Sequence, residues 1–191
     1  MTKLIEVRWH GRGGQGVVTA GKVLAESALD IGLYFQAFPE YGPERMGAPI
    51  QAFTRISDKP IDLHCQIENP DVVVVLDPTL LGTVKVTEGL KEGGILLVNT
   101  SGSPAEIRKQ LHHTTGRVFT VDASHIAIET MGREITNTPM LGALVQVTGL
   151  FKVDDIVEQT RQRFGKKKMK ADIVEANVTA IRRAAEEVKE G

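Results

Sequence analysis

The sequence of 191 residues contains one cysteine, Cys65. A single cysteine excludes an internal disulfide. An iron–sulfur cluster usually needs four thiolates, so this chain cannot hold one by itself. Any redox centre it works with must therefore be supplied by another molecule. A lone thiol also suits a reducing compartment, and we expect a cytoplasmic protein.

The sequence also has almost no net charge and no long apolar run. Its formal net charge of -1 gives no field that would attract nucleic acid or an anionic membrane. No run reaches the roughly eighteen apolar residues that a membrane span needs, and the first residues lack a signal-peptide pattern. The five histidines show no paired metal-binding spacing, so no metal site is predicted.

The remaining composition is that of an ordinary globular domain. Hydrophobic residues make up 41% and charged residues 25%. No linker or repeat divides the chain, and we predict one domain over residues 1–191. The patterns predict strands at 3–10, 33–38, 50–56, 61–67, 72–76, 95–98 and 117–121. They predict helices at 15–32, 85–91, 140–150, 153–164 and 169–188, and a further helix that begins at Ser103–Pro104. The predicted fold is α/β, with a hairpin formed by 50–56 and 61–67 and a helical C-terminal end.

The most informative segment is Gly11-Arg12-Gly13-Gly14-Gln15-Gly16, which lies between the first strand and the first helix. Glycines without Cβ atoms let backbone N–H groups approach an anion, and the helix N-terminus adds its positive dipole end. Arg12 would add a fixed positive charge and Gln15 an orientable amide. The segment predicts a cradle for a phosphate or a carboxylate.

The same glycines match the dinucleotide spacing Gly-x-Gly-x-x-Gly. A nicotinamide or flavin dinucleotide usually needs an acidic residue about twenty residues further on for its ribose. Glu40 follows a proline in an irregular loop and Asp30 lies inside the helix, so neither fits well. Coenzyme A or a carboxylate of a partner chain is therefore favoured over a dinucleotide, and a tight turn that binds nothing stays an alternative.

Several segments together resemble one family, and they cover essentially the whole chain. In chain order they are His10 to Gly16, Phe38 to Pro49 (Phe-Pro-Glu-Tyr-Gly-Pro-Glu-Arg-Met-Gly-Ala-Pro), Pro70 to Asp77, Asn137 to Ala143 (Asn-Thr-Pro-Met-Leu-Gly-Ala) and Asn177 to Ile181. This order resembles the gamma subunits of 2-oxoacid:ferredoxin oxidoreductases, most closely those of pyruvate:ferredoxin oxidoreductase. One departure is Met46, where members often have a second arginine beside Arg45.

The resemblance implies a Rossmann-like open, mostly parallel sheet and a subunit of a hetero-oligomer. Such a complex converts pyruvate, coenzyme A and oxidised ferredoxin into acetyl-CoA, carbon dioxide and reduced ferredoxin. The implied partners are alpha, beta and delta subunits, with ferredoxin as the electron acceptor. Thiamine diphosphate, magnesium and the iron–sulfur clusters would lie in those partners. This chain would be a non-redox component, inactive alone, that contacts coenzyme A and packs on the thiamine-binding subunits.

The candidate residues fall into two groups, and no catalytic residue is assigned. Those expected to bind coenzyme A are Gly11, Arg12, Gly13, Gly14, Gln15, Gly16, Asn137, Thr138 and Met140. Those expected at a partner contact or active-site rim are Glu40, Glu44 and Arg45. A purely structural alternative makes Thr138 a helix cap and Pro139 the first helical residue.

Two strand-end aspartates and a run of lysines each have two possible interpretations. Asp77 and Asp122 end strands and would either bind a ligand hydroxyl or cap the next helix. Lys166-Lys167-Lys168-Met169-Lys170 would be a solvated approach to a helix or a site for a cofactor phosphate. Cys65 is expected to be a packing residue in a strand.

Three functions remain open at this point. The first is the gamma subunit, for pyruvate or for another 2-oxoacid such as 2-oxoglutarate or a branched-chain acid. The second is a free-standing dinucleotide-binding oxidoreductase. The third is an architectural subunit whose glycine loop binds a partner carboxylate and no small molecule.

Overall fold

The chain forms a seven-stranded sheet with helices on both faces, in a computed structural model that describes residues 4–40, 47–112 and 115–191. The strands are β1 (Leu4–Arg12), β2 (Tyr34–Pro39), β3 (Pro49–Ser57), β4 (Val72–Val75), β5 (Ile95–Asn99), β6 (Arg117–Val121) and β7 (Lys189–Glu190). The helices are α1 (Val17–Asp30), α2 (Pro104–Leu111), α3 (Ala123–Met131), α4 (Asn137–Thr148), α5 (Val153–Lys166) and α6 (Ala171–Glu187), with a short 3-10 helix at Pro78–Gly82. Within the described part of the chain, no helix has both the length and the apolar character needed to cross a membrane.

The strand order is β2-β3-β1-β4-β5-β6-β7. Strands β1, β4, β5 and β6 pair in parallel, whereas β3 is antiparallel to both of its neighbours and β7 is antiparallel to β6. The predicted α/β fold with a mostly parallel central sheet is confirmed. The carboxyl ends of the four parallel strands lie along one edge of the sheet, where open α/β folds bind ligands.

The core lies on both sides of the sheet because side chains alternate along each strand. Val72 and Val74 of β4 join a large apolar cluster with residues of α1, α4, α5 and α6. Val73 and Val75 face a smaller cluster that includes Leu80 of the 3-10 helix. Burial on both faces explains why β4 is an uninterrupted run of valines.

The predicted hairpin of 50–56 with 61–67 is wrong, since the antiparallel pair at this position is formed by β2 and β3. These pair antiparallel from Tyr34 opposite Ser57 to Pro39 opposite Ala52. The segment 61–67 is irregular, so its assignment as a strand is wrong. It is attached to β2 by a side chain instead of a backbone ladder, since Gln36 Nε2 donates to the carbonyls of Ile61 and Leu63.

The helix predicted at 85–91 is also wrong, since these residues form turns. Arg8 is buried and donates hydrogen bonds to the carbonyls of Val86 and Glu88, which are then unavailable to a helix. Gly89 has φ +70°, and a Cβ there would overlap the Glu68 carbonyl oxygen. A tertiary contact therefore determines the conformation of this segment.

Strand ends and helix starts follow the sequence signals more closely. Ser103 precedes Pro104 and forms a capping box with Glu106 in the first turn of α2. Asp122 accepts a hydrogen bond from the His125 N–H and so caps α3, the structural alternative considered for it, although the bounds of this helix were not predicted. Cys65 is exposed, so its assignment as a packing residue is wrong.

His10 is a buried titratable group just ahead of the glycine loop. Burial, with a smaller effect of the positive Arg8, lowers the pKa of His10 to about 3. Its Nε2 accepts a hydrogen bond from Arg8 Nε at 3.1 Å, which requires the neutral imidazole.

We expect this histidine to make the fold acid-sensitive. Its pKa is 6.5 when unperturbed, so the unfolded chain binds the extra proton between about pH 6.5 and about pH 3. The free energy of unfolding therefore has its full value above this window and decreases as the pH is lowered through it. This residue contributes a slope of up to about 1.4 kcal/mol per pH unit. Urea unfolding between pH 7 and 4.5 should show a smaller pH slope for His10→Gln, whose amide accepts without titrating. Equal slopes would contradict the assignment.

Candidate functional site

The glycine loop lies where the chain leaves the sheet in two directions. From the carboxyl end of β1 it continues into α1, which packs against β2 and β3. From the end of β4, the neighbour of β1, it continues through the 3-10 helix to β5 on the other side. A divergence of this kind opens a crevice, and in open α/β sheets ligands bind there. The predicted cradle is thus at the position that the topology favours for a site.

A carboxylate from the end of β4 is connected to the loop by hydrogen bonds. Asp77 Oδ2 accepts from Arg12 Nε at 3.1 Å and from Gln15 Nε2 at 2.8 Å. Its Oδ1 accepts from the Thr79 hydroxyl and from the Thr79 backbone N–H. Asp77 thus caps the 3-10 helix, the structural alternative considered for it, and it also joins β4 to the loop.

The same contacts keep Asp77 ionised. Burial alone would raise the pKa of this carboxyl, but hydrogen bonds from Thr79 and Gln15 and the charge of Arg12 bring it below its ordinary value. Asp77 and Arg12 consequently form a compensated ion pair.

The polar ends of Arg12 and Gln15 are engaged within the protein. Arg12 also donates from Nη2 to Thr79 Oγ1 and from Nη1 to the carbonyl of Gly47. Gln15 Oε1 accepts the Arg12 backbone N–H at 2.7 Å. These two side chains therefore fix the shape of the loop, and the groups left to meet an anion are backbone amides.

The N-terminus of α1 provides such amides. Gly16 occupies the capping position with φ 77°, no side chain caps the helix, and the first turn holds no acidic residue. The first N–H groups of a helix have no partner inside it, and the dipole makes this end positive. Gly14, two residues before Gly16, is exposed. An anion cradle of the kind predicted from the glycines would be formed here by the main chain.

Gly11 has a packing reason to be a glycine. It lies within β1, opposite Ile50 of β3, and it is buried. A Cβ there would overlap the Val17 side chain and lie 3.1 Å from Gln15 Oε1. Gly13 holds the loop against the next segment, with its N–H donating to the Ala48 carbonyl at 3.0 Å. These two glycines let α1 start directly against the end of the strand.

Asn137 comes from a distant part of the sequence to the same place. A Cβ on Gly16 would lie 2.6 Å from Asn137 Nδ2, so the α4 and α1 N-termini are in contact. Asn137 Oδ1 is buried, and the described residues offer it no hydrogen-bond donor. A buried amide oxygen without a donor is costly, and it marks a position where an added donor would be favourable.

The neighbours of Asn137 have structural roles. Helix α4 begins at Asn137 after Thr136, so the assignment of Thr138 as its cap is wrong. The Thr138 hydroxyl instead donates to Asn177 Oδ1 of α6 at 3.1 Å. Met140 is completely buried in the core. Its side chain therefore has no surface for the ligand contact predicted for it.

The second predicted group of residues consists of Glu40, Glu44 and Arg45. Glu40 follows β2, and its N–H donates to the Gln51 carbonyl at 2.9 Å. Glu44 and Arg45 lie outside the described residues. The site residue that the sequence analysis missed is Thr79, which the order Asp77-Pro78-Thr79 after a buried strand could have indicated.

The sheet topology also disfavours the binding of a dinucleotide at this loop. The ribose-binding acid of such sites stands at the end of a strand parallel to the first one. Here the strand next to β1 on the α1 side is β3, and it runs antiparallel. The sheet of the described residues therefore lacks the parallel neighbour that would present such an acid.

Comparison with known proteins gives consistent matches over nearly the full length. The model of the family described as pyruvate ferredoxin/flavodoxin oxidoreductase matches residues 6–187. Pyruvate synthase subunit PorC of Thermotoga maritima is 51% identical over 187 residues, covering 98% of this chain and 96% of that protein. The pyruvate/ketoisovalerate oxidoreductases common subunit gamma of Thermococcus kodakarensis is 51% identical over 182 residues, covering 93% of this chain and 98% of that one.

A solved structure agrees with these matches. The crystal structure of pyruvate oxidoreductase subunit PORC from Thermotoga maritima superposes with a TM-score of 0.88 at 48% identity, and 99% of each chain is covered. Both the sequence and the three-dimensional arrangement of this chain are therefore similar to those of one kind of subunit.

Proposed function

The chain belongs to the pyruvate ferredoxin/flavodoxin oxidoreductase family as a gamma subunit, and on this premise we propose that its glycine loop helps to bind coenzyme A. It is a component of an enzyme that forms acetyl-CoA and carbon dioxide from pyruvate while ferredoxin is reduced. The uncapped N-terminus of α1, with Asn137 beside it, is the observation that carries the assignment of the loop.

Coenzyme A fits the chemistry of this cradle. Its diphosphate and ribose phosphate are anions, which helix N-termini bind through free backbone amides. Its amide N–H groups and hydroxyls are donors of the kind that Asn137 Oδ1 lacks. Asp77 forms an ion pair with Arg12, so the described loop contacts include no unpaired carboxylate that would repel a phosphate. Substrate contact here thus needs only main chain and one amide from this subunit.

The remaining chemistry is assigned to the partners. With one cysteine, this chain lacks the thiolates for an iron–sulfur cluster, so the clusters, thiamine diphosphate and magnesium would be held by the alpha, beta and delta subunits. The chain would be a non-redox component without activity of its own. We place the complex in the cytoplasm, with ferredoxin as its electron acceptor.

A second 2-oxoacid is a candidate substrate of the complex. The Thermococcus kodakarensis relative is named as common to pyruvate and ketoisovalerate oxidoreductases. If this chain is shared in the same way, it must contact a substrate that both enzymes use. Coenzyme A is such a part, whereas the 2-oxoacid is not.

Reconstitution without this chain tests the proposed function. We expect the partner subunits alone to lose at least about 90% of pyruvate-dependent, coenzyme A-requiring dye reduction, since a missing contact worth about 1.4 kcal/mol is already a tenfold loss. Adding the chain back should restore the rate, and the isolated chain should bind neither NAD nor FAD in a titration. An undiminished rate without the chain, or tight binding of a dinucleotide to it, would contradict the proposal.

A further inference from the structure

A cleft between the helices lies behind the glycine loop, on the α1 side of the sheet. It has a volume of about 600 Å³ and is lined by residues of α1, α4, α5 and α6, of the end of α3 and of the segment that follows α3. Its floor includes Leu141 and Val23, and Phe164 forms part of a wall. Asn137, which belongs to the proposed coenzyme A contact, also lines this cleft, but the apolar residues around the opening have no part in that contact.

Exposed apolar side chains surround the opening of the cleft. Ile135, Met169 and Ile173 line it and are 41%, 37% and 40% exposed. Large apolar side chains concentrated in one concave place mark an interaction surface more often than isolated ones do. They come from the segment ahead of α4, the α5–α6 turn and the first turn of α6, so the patch depends on the tertiary structure.

The rim of this cleft is positively charged. Lys167, Arg133 and Arg163 line it, and Lys166, Lys168 and Lys170 flank it in the α5–α6 turn. Arg163 pairs with Glu26 of α1. The four lysines and Arg133 are all exposed, and residues 4–40, 47–112 and 115–191 provide no ion pair to any of them. Asp172 is the acid that lines the cleft.

An apolar centre within a rim that is mostly positive is typical of a protein interface that binds an acidic partner. We propose that this cleft receives an acidic segment of another subunit, with an apolar side chain inserted between Met169 and Ile173. The inference rests on the proposed function, because it takes the occupant from the same complex. It identifies the lysine run as part of a docking surface and not as a cofactor phosphate site.

Charge reversal tests the rim. The variant Lys166→Glu/Lys167→Glu/Lys170→Glu should bind the complex that lacks this subunit about 10- to 100-fold more weakly at low salt, with a flatter salt dependence. Lys59→Glu/Lys85→Glu/Lys109→Glu, which changes three exposed lysines elsewhere by the same total charge, is the matched control. Equal affinities and salt slopes for wild type and the rim variant would overturn the proposal.

A thiol in the cleft tests its centre. In a Cys65→Ser background, Ile173→Cys should react with a maleimide in the free chain and at least about tenfold more slowly in the complex, as expected for a desolvated interface core. A carboxyl-to-amine crosslinker should join the rim lysines to acidic residues of one partner chain. Unchanged labelling on assembly, or protection of the free chain by millimolar acetyl-CoA or ATP, neither of which has a free thiol to consume the maleimide, would overturn the inference.

These outcomes separate the inference from the proposed function. If the Ile173→Cys chain assembles and restores activity while its introduced thiol stays reactive, the docking surface is wrong and the function stands. If wild-type chain does not join the complex at all, the proposed function itself fails.

Discussion

Replacing Gly142 by alanine is expected to destabilise the chain by about 3 kcal/mol, because an overpacked contact between two backbones cannot relax by a side-chain rotation. Gly142 lies on α4 where α6 crosses it, and a Cβ there would overlap the carbonyl oxygen of Ile181. Ala143, Ala180 and Ala184 are completely buried along the same contact. The two helices can pack this closely only while the side chains between them are small.

Thermal unfolding measures this effect. For a chain of this size, about 3 kcal/mol corresponds to a decrease in Tm of roughly 6–12 °C. Gly165→Ala is the matched control, since Gly165 is an exposed helical glycine of α5 with open space around it. That control should be neutral or raise the stability by up to about 1 kcal/mol through helix propensity. Wild-type stability for Gly142→Ala would contradict the close packing of α4 on α6.

Elements with strong local signals could be predicted from the sequence, and elements set by distant contacts could not. The valine run of β4, the Ser103–Pro104 helix start and the amphipathic α6 all carry their own patterns, and they form where predicted. The pattern of 85–91 predicts a helix, but buried Arg8 from β1 takes its carbonyls. Residues 61–67 have a strand pattern, yet Gln36 binds their carbonyls in place of a neighbouring strand.

The candidate site also has parts that follow from neighbouring residues and parts that depend on distant contacts. The glycine spacing predicts the loop and the uncapped start of α1, because both follow from adjacent residues. The pairing of Arg12 with Asp77 spans 65 positions, and the contact of Gly16 with Asn137 joins segments that are even further apart in the chain. Neither has a signal in a single sequence. The engagement of Arg12 is therefore a property of the fold, and it moves the anion contact from side chains to main chain.

Replacing Gly16 by alanine is expected to weaken coenzyme A binding by about tenfold or more in the assembled enzyme. The left-handed conformation of Gly16, φ 77°, costs an L-residue about 1 kcal/mol or more. The added methyl would also lie 2.6 Å from Asn137 Nδ2 and 3.0 Å from its Cγ, so the amide must move away from the α1 N-terminus. Both effects act on the groups that the proposal assigns to the coenzyme.

The control is a glycine with the same conformation and no neighbour. Gly132 ends α3 with φ 67°, and nothing would lie within 4 Å of a Cβ there. Gly132→Ala therefore carries the backbone strain without the displacement of Asn137. It should leave the KM for coenzyme A at its wild-type value, even if it lowers the stability of the chain.

The most direct test of the coenzyme A assignment is the KM for coenzyme A of complexes reconstituted with wild-type, Gly16→Ala or Gly132→Ala chain, at equal subunit content. We predict that Gly16→Ala alone raises this KM about tenfold, a change of about 1.4 kcal/mol, and leaves the KM for pyruvate unchanged. Two results would contradict it. One is an unchanged KM for coenzyme A in a normally assembled Gly16→Ala complex, and the other is a Gly16→Ala chain that fails to assemble, which would support a loop that binds only a partner chain.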